Sequence, residues 1–246
     1  MRSFPGWRNR LKSVEFEAVF ETAMNRGLKS VYARRFARTE LRRDKVWRVL
    51  TRHYFQGWVR PTDAVLDVGA GYCEFINHIQ AAQKFALDLN PATQSKAGQD
   101  VKVLAQGVTT RWAVPSASID LVFTSNCLEH LTSKDDLKHC LDEIYRVLRP
   151  NGLLMAMGPN IRFCFDVYWD FFDHYLPLSD RSLLEAMELC GFRREKVVPR
   201  FLPFTMTGRM PTLSLFVRLY LLLPICWRVL GKQFLIVARK PHGPTS

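Results

Sequence analysis

The stretch VLDVGAGYCEF, residues 65–75, puts Asp67 near the end of an apolar run and follows it with Gly69 and Gly71. An acid and two small residues at one bend suit a backbone that turns sharply and approaches something closely. The candidates are a tight turn with no ligand, the pyrophosphate of a dinucleotide, or another adenosine compound. Glu74 stands where the dinucleotide pattern G-x-G-x-x-G requires its third glycine, which argues against NAD. A glutamate at a helix start also repels phosphate and suits a ligand with a cationic group. Asp88 closes ALDLN, where a carboxylate can accept hydrogen bonds from ribose hydroxyls. An acid at a strand end is as readily solvated or capping a helix, so Asp88 alone does not decide.

These residues need elements to hold them. AVLDV (64–68), KFALDL (84–89), VKVLA (101–105), SIDLVFTS (118–125), LLMAMG (153–158), KVVPRFLPF (196–204) and QFLIVARK (233–240) read as strands. A helical pattern begins at EFINHI (74–79), and two more run through SKDDLKHCLDEIYRVLRPNG and SDRSLLEAMELCGF. Ser133 with Asp136 makes a capping box, and Pro150-Asn151-Gly152 is read as the stop; Ser179 caps the last helix and Gly191 follows its end. Strands alternating with helices predict a parallel sheet covered on both faces, with ligands beyond the carboxyl ends of its strands.

In their order and spacing, VLDVGAGYCEF, ALDLN, SIDLVFTSNCLEHL and IYRVLRPNGLLMAMGPN resemble class I S-adenosylmethionine-dependent methyltransferases, over roughly residues 60–200. The resemblance implies a Rossmann-like three-layer α/β sandwich, with a seven-stranded, mostly parallel sheet whose last strand, QFLIVARK, runs antiparallel between its neighbours. It implies S-adenosyl-L-methionine as cofactor, with Asp67, Gly69 and Gly71 lining its methionine part and Asp88 holding the ribose. Leu89 joins the cofactor set, and Ser125 and Asn126 face the methyl-transfer point. Two departures stand out. Cys73 replaces the third small residue of the family pattern; it is read as a packing thiol, the alternative being a thiol activated by a helix N-terminus. Gln106 and Gly107 replace the acid that often accepts the adenine amino group, so the Gln106 amide oxygen or a backbone group is the expected substitute.

Methyl transfer is an in-line displacement governed by alignment and exclusion of water, but an oxygen or nitrogen acceptor can need a proton removed. His130, in NCLEHL, and His174, in WDFFDHYLPL, both follow strands that end at the ligand face. The candidate catalytic set is His174, His130 and Asp173, with Asp170 or Asp173 orienting the His174 ring; packing is the plainer role for His130. Two insertions, about 159–178 and 205–232, are expected to roof the site with aromatic and aliphatic surface. The core of the second, LYLLLPICW (219–227), is too short to span a bilayer and is flanked by Arg218 and Arg228. It is read first as a lid, and otherwise as a membrane-contacting surface, as ordinary helix packing or as a dimer face.

The 246 residues hold six cysteines with no CxxC pair, so no metal site or disulfide framework is expected. Charge is segregated. Residues 1–60 carry 15 Lys/Arg against 5 Asp/Glu, residues 61–192 carry 10 against 17, and residues 193–246 carry 10 against 1. Trp47, Leu50, Tyr54 and Trp58 form one apolar stripe in the basic segment 1–60, which precedes a methyltransferase domain over 61–240 and a tail, 241–246. The start has no continuous apolar h-region, so a cleaved signal peptide is not expected and the location read is cytoplasmic, with peripheral contact at the inner face of a membrane open to it. Basic flanks fit phosphate, nucleic acid or anionic lipid, or are simply solvated helix faces; no recognisable RNA-binding module is present, so nucleic acid is not the expected partner. The chain is similar to bacterial methyltransferases of uncertain substrate, some thought to modify glycans or lipids. Methyl transfer to an oxygen, or a nitrogen, of a small organic, glycan or lipid-linked acceptor is therefore the expected function. An inactive binding scaffold is the alternative, ahead of an RNA methyltransferase or an NAD-dependent oxidoreductase.

Overall fold

The computed structural model describes residues 40–204 and 214–242. The expectations for residues 1–39, for 205–213 and for the end of the tail lie outside those residues. Residues 1–42 form a unit of their own, and the compact body begins at Arg43.

Seven strands make one sheet: β1 (Ala64–Val68), β2 (Gln83–Leu87), β3 (Val101–Leu104), β4 (Ile119–Ser125), β5 (Leu148–Pro159), β6 (Arg193–Val198) and β7 (Gln233–Arg239). Their order is β3-β2-β1-β4-β5-β7-β6. β1, β2, β3, β4 and β5 pair in parallel, while β7 is antiparallel to both β5 and β6. Seven α-helices accompany them among the described residues: α1 (Glu40–His53), α2 (Pro91–Lys96), α3 (Lys134–Val147), α4 (Ile161–Tyr168), α5 (Asp180–Leu189), α6 (Ser214–Leu222) and α7 (Pro224–Leu230). The strands are apolar on both sides, and their period of two sorts side chains between two cores. Leu66, Val68, Val122 and Leu154 meet Leu141 and Ile144 of α3 and Leu183 of α5. Val65, Phe123, Met155 and Val237 meet Trp47 and Leu50 of α1 on the opposite face. The predicted three-layer fold is the one observed.

Several local expectations are corrected. No α-helix forms over 74–79. Asn77 and Ile79 donate to Cys73 and Phe75 in a single helical turn. The Asn77 amide then bonds Lys96 O and Gly98 N, which draws the chain out of helical geometry. Ser133 does cap α3, accepting from Asp136 N at 3.0 Å, but the helix ends at Val147, before Pro150-Asn151-Gly152. Those residues lie within β5, where Asn151 takes φ +66° and donates to Lys240 O. β6 starts at Arg193 and stops before Pro199, which has no N–H for a sheet ladder.

The second insertion packs as a pair of helices, one of the uses expected for it. Leu221 of α6 and Trp227 of α7 belong to the same core as α1, β5 and β7. Tyr220 donates to Phe201 O and Trp227 Nε1 donates to Tyr220 O, both at 2.7 Å. The helical pair is thus fastened to a sheet face beside α1 through these aromatic anchors. Of the expected stripe, Trp47 and Leu50 are buried, and Tyr54 and Trp58 are half-buried. Residues 43–60 therefore pack as part of the body.

Candidate active site

Strands β1 and β2 run in register, Val68 opposite Leu87, so the bend after β1 and Asp88 after β2 emerge side by side. Gly69 N and Ala70 N both donate to Leu87 O. Gly71 N donates to Asp88 Oδ2 at 2.7 Å, and Asn90 N donates to Asp88 Oδ1 at 2.7 Å. Thr93 Oγ1 completes the ring by donating to Gly71 O. Asp88 is therefore built into the glycine bend.

The two glycines do different work. Both have positive φ, +72° at Gly69 and +52° at Gly71. A Cβ on Gly69 would lie inside the contact shell of Cys127 Sγ and 2.6 Å from its Cβ. A Cβ on Gly71 would meet nothing within 4 Å. Gly69 lets the loop after β4 close over the bend, whereas Gly71 fronts open space. Cys73 also has positive φ, +61°, which gives a backbone reason for the glycine usual there in the resembled family. Burial pushes its thiol up to about 12, with Asp67, Asp88 and Glu74 adding to the shift. The thiol is buried with its Sγ 3.7 Å from Thr93 O, as a packing thiol would be.

Three carboxyls converge on the bend. Asp67 is buried, and desolvation, then the charges of Asp88 and Glu74, raise its pKa well above the usual range; the Ile76 N–H opposes the shift. Glu74 pairs with Arg43 at 2.7 Å. An uncompensated buried carboxylate is costly, and a cation brought beside it relieves that cost. The bend therefore suits a ligand with positive charge near Asp67, with Asp88 beside it and Leu89 67 % exposed. S-adenosylmethionine fits that pattern.

The Gln106 expectation changes. Its Oε1 accepts from Ala113 N at 2.8 Å and its Nε2 donates to Arg111 O at 3.3 Å. The amide braces the loop 106–113. Ser125 ends β4 and Asn126 follows it; Asn126 has φ +50° and donates through Nδ2 to Ser125 Oγ.

Beyond β4 the chain turns through Leu128–His130, where the structure adds a residue the motifs did not single out. Glu129 is buried, and desolvation raises its carboxyl pKa, while the nearby His130 opposes the shift. Its carbonyl accepts from Tyr175 N and Leu176 N, which ties the first insertion to the β4 loop. His130 Nδ1 lies 2.7 Å from Asp173 O and 3.4 Å from Asp173 Oδ2. Asp173 thus reaches His130 through both its carbonyl and its carboxylate, whereas Asp170 is exposed. His174 is buried, stacked on Phe171 at 4.9 Å and edge-on to His130 at 5.1 Å, with Tyr168 at 4.7 Å. Glu129, His130 and His174 bring ligand-type atoms within 4.8 Å of one another. The sequence signal for Glu129 was an acid directly before His130 in a loop at the ligand end.

A polar depression of about 380 Å³ lies elsewhere, lined by Arg60, Asp63, Asp120, Asn151 and Arg239. It sits at the start of β1 and β4, and its charges pair with neighbours: Arg60 with Asp63, Asp120 with Arg149, Arg239 with Glu195. Open parallel sheets bind ligands at the other end, so it is not taken as the site.

Comparison with known proteins agrees with the geometry. Residues 66–156 match the family model described as Methyltransferase domain. The Arabidopsis thaliana protein named "Probable methyltransferase PMT19" is 33% identical over 111 residues, covering 39% of this chain and only 17% of that protein. A chain of the complex between the Haloferax volcanii Trm112 methyltransferase activator and its methyltransferase aligns at TM-score 0.64 and 17% identity, over 86% of this chain and 97% of that one. A SAM-dependent methyltransferase from Archaeoglobus fulgidus aligns at TM-score 0.60 and 18% identity, over 85% and 98%. Residues 66–156 thus match a methyltransferase domain, and the chain shares the class I fold of these solved structures.

Proposed function

We propose that the chain is a class I S-adenosylmethionine-dependent methyltransferase that methylates a hydroxyl oxygen of an organic acceptor: a small molecule, a glycan or a lipid-linked compound. The observation that carries this reading is Asp88 accepting from Gly71 N at 2.7 Å, where Gly71 fronts open space. When bound, the cofactor supplies a methyl group already activated by its sulfonium, so the protein need only align, desolvate and handle one proton. The Asp88 carboxylate receives the ribose hydroxyls, and Gly71 admits the nucleoside without a Cβ in its way. Asp67 and Glu74 favour the cationic amino acid end. Leu89 lies against the adenine, and Ser125 and Asn126 border the transfer point.

The proton falls to the histidine pair. An alcohol gives up its proton with difficulty near neutral pH, and imidazole is the side chain suited to take it. His174 is the proposed base, held by its stack on Phe171; His130, fixed through Nδ1 by Asp173, sets the edge against which it packs. The aromatic surroundings of Tyr168, Phe171 and Phe204 support an organic acceptor. Isothermal calorimetry with S-adenosylhomocysteine tests the reading, since the demethylated product needs no acceptor. Binding is expected, weakened about 10-fold to 100-fold in Asp88→Ala, the worth of hydrogen bonds to one charged group. An inert scaffold need bind neither cofactor nor product, and absence of heat with both would end the proposal.

A further inference from the structure

The helical pair α6–α7 turns an apolar surface outward. Leu215, Phe216, Leu222, Ile225 and Val229 are exposed by 64, 49, 72, 62 and 65 %. Their inward counterparts Leu221 and Trp227 are buried in the α1-side core, so the outer row is what remains after the pair has packed. Eight large apolar side chains in residues 215–230 are exposed in this way. They leave several hundred Å² of apolar surface, a size that matches or exceeds the largest patch of an ordinary monomer, about 300–600 Å².

Charge identifies what covers it. Arg218 and Arg228 stand exposed among these residues. Residues 214–232 contain no aspartate or glutamate. Arg52 and His53, at the end of α1, extend the same field: burial, then Arg218, then Arg52 lower the His53 pKa. Arg200 donates to Val229 O and Gly231 O, which fastens the end of α7. A second copy seated on this patch about a two-fold axis would bring like charges together with no acid to meet them. No helix among the described residues is long and apolar enough to cross a membrane. An apolar face studded with arginines on short helices has the chemistry of a surface that lies in the headgroup region of an anionic bilayer.

We propose that α6 and α7 form a membrane-docking surface, their outer apolar side chains entering the acyl boundary while Arg218 and Arg228 meet the phosphates of anionic lipid. This goes beyond the methyl-transfer reading and does not depend on it, because docking requires neither cofactor nor acceptor.

Flotation of the full chain with vesicles tests it, using an anionic phosphatidylglycerol mixture against pure phosphatidylcholine, at low and physiological salt. The wild type is expected to float with the anionic vesicles, and less so as salt rises. Arg218→Gln/Arg228→Gln should reduce partitioning about 25-fold, roughly fivefold per charge. Leu222→Asp/Ile225→Asp should reduce it at least about tenfold. Both changes lie on exposed positions, and unchanged thermal melts verify that the fold is kept. The basic residues of 1–60 remain in every variant, so binding by those residues alone would leave the variants floating like the wild type, and that result overturns the proposal. So does failure of the wild type to float at low salt, or a stable dimer in light scattering that Leu222→Asp/Ile225→Asp dissociates without any vesicle binding.

Discussion

Gly69 and Gly71 differ by two positions, yet replacing each with alanine should have opposite consequences. Both substitutions place a side chain at positive φ, at a cost of about 1–2 kcal/mol. At Gly69 the new Cβ also collides with Cys127, which cannot withdraw without moving the β4 loop; such overpacking adds about 1–3 kcal/mol. Gly69→Ala should therefore lose about 2–5 kcal/mol of stability in urea titration, and Gly71→Ala only about 1–2 kcal/mol. At about 2–4 °C per kcal/mol for a body of this size, the two melting shifts separate clearly. Cofactor binding should invert the order of severity. The alanine at 71 projects into the hollow rather than into protein, so S-adenosylhomocysteine affinity should fall about 5-fold to 150-fold, the binding equivalent of the same overpacking. Adding Cys127→Gly to Gly69→Ala should show a coupling of about 1–3 kcal/mol, because the colliding atoms are gone while the backbone strain remains. Equal stability losses for the two alanines, or full product affinity in Gly71→Ala, would refute the assignment of one glycine to packing and the other to the ligand.

Other outcomes follow from the same site. His174→Ala should lower turnover about 10²-fold to 10⁴-fold while leaving S-adenosylhomocysteine affinity unchanged, as measured by single-turnover rates beside calorimetry. Asp67 is held protonated more readily when folded, so the native state binds more protons than the unfolded chain above the usual carboxylate range, and stability falls as pH rises through that window. Asp67→Asn should accordingly be more stable than wild type at about pH 8, with the gap closing toward about pH 4, and should bind product poorly; urea curves across pH measure this. Turnover should survive exhaustive chelation, and loss with EDTA that zinc or manganese restores would reassign Glu129, His130 and His174 from proton handling to metal binding.

The sheet was legible because its strands are continuous apolar runs that stop at turn residues, and no other pairing buries them on both sides. Helix limits were less legible. Pro150-Asn151-Gly152 has the composition of a helix stop, yet the chain had already become extended at Leu148, and Asn151 takes positive φ inside β5. The pattern EFINHI carries helical spacing, but the two hydrogen bonds of the Asn77 amide to residues 96 and 98 outweigh one further helical turn. Both errors come from tertiary partners that no local window contains.

The same limit explains the site. Asp67, Gly69, Gly71 and Asp88 could be grouped from sequence because each sits at the end of an adjacent parallel strand, where topology alone brings them together. The histidines could be placed on the right face but not assigned partners. Asp173 adjoins His174 in sequence and yet its carbonyl and carboxylate turn to His130, since Tyr175 N and Leu176 N are anchored on the Glu129 carbonyl and rotate the segment between. Gln106 likewise occupies the expected position with its amide already engaged by Ala113 and Arg111. On the proposed reading, strand order specifies where the nucleoside lies, while backbone bonds between the β4 loop and the β5 insertion specify which side chain faces the acceptor. Variation in that insertion should alter the acceptor accommodated without disturbing the cofactor. Exchanging residues around His174 is thus the route by which this fold can change substrate while Asp88 and Gly71 stay as they are.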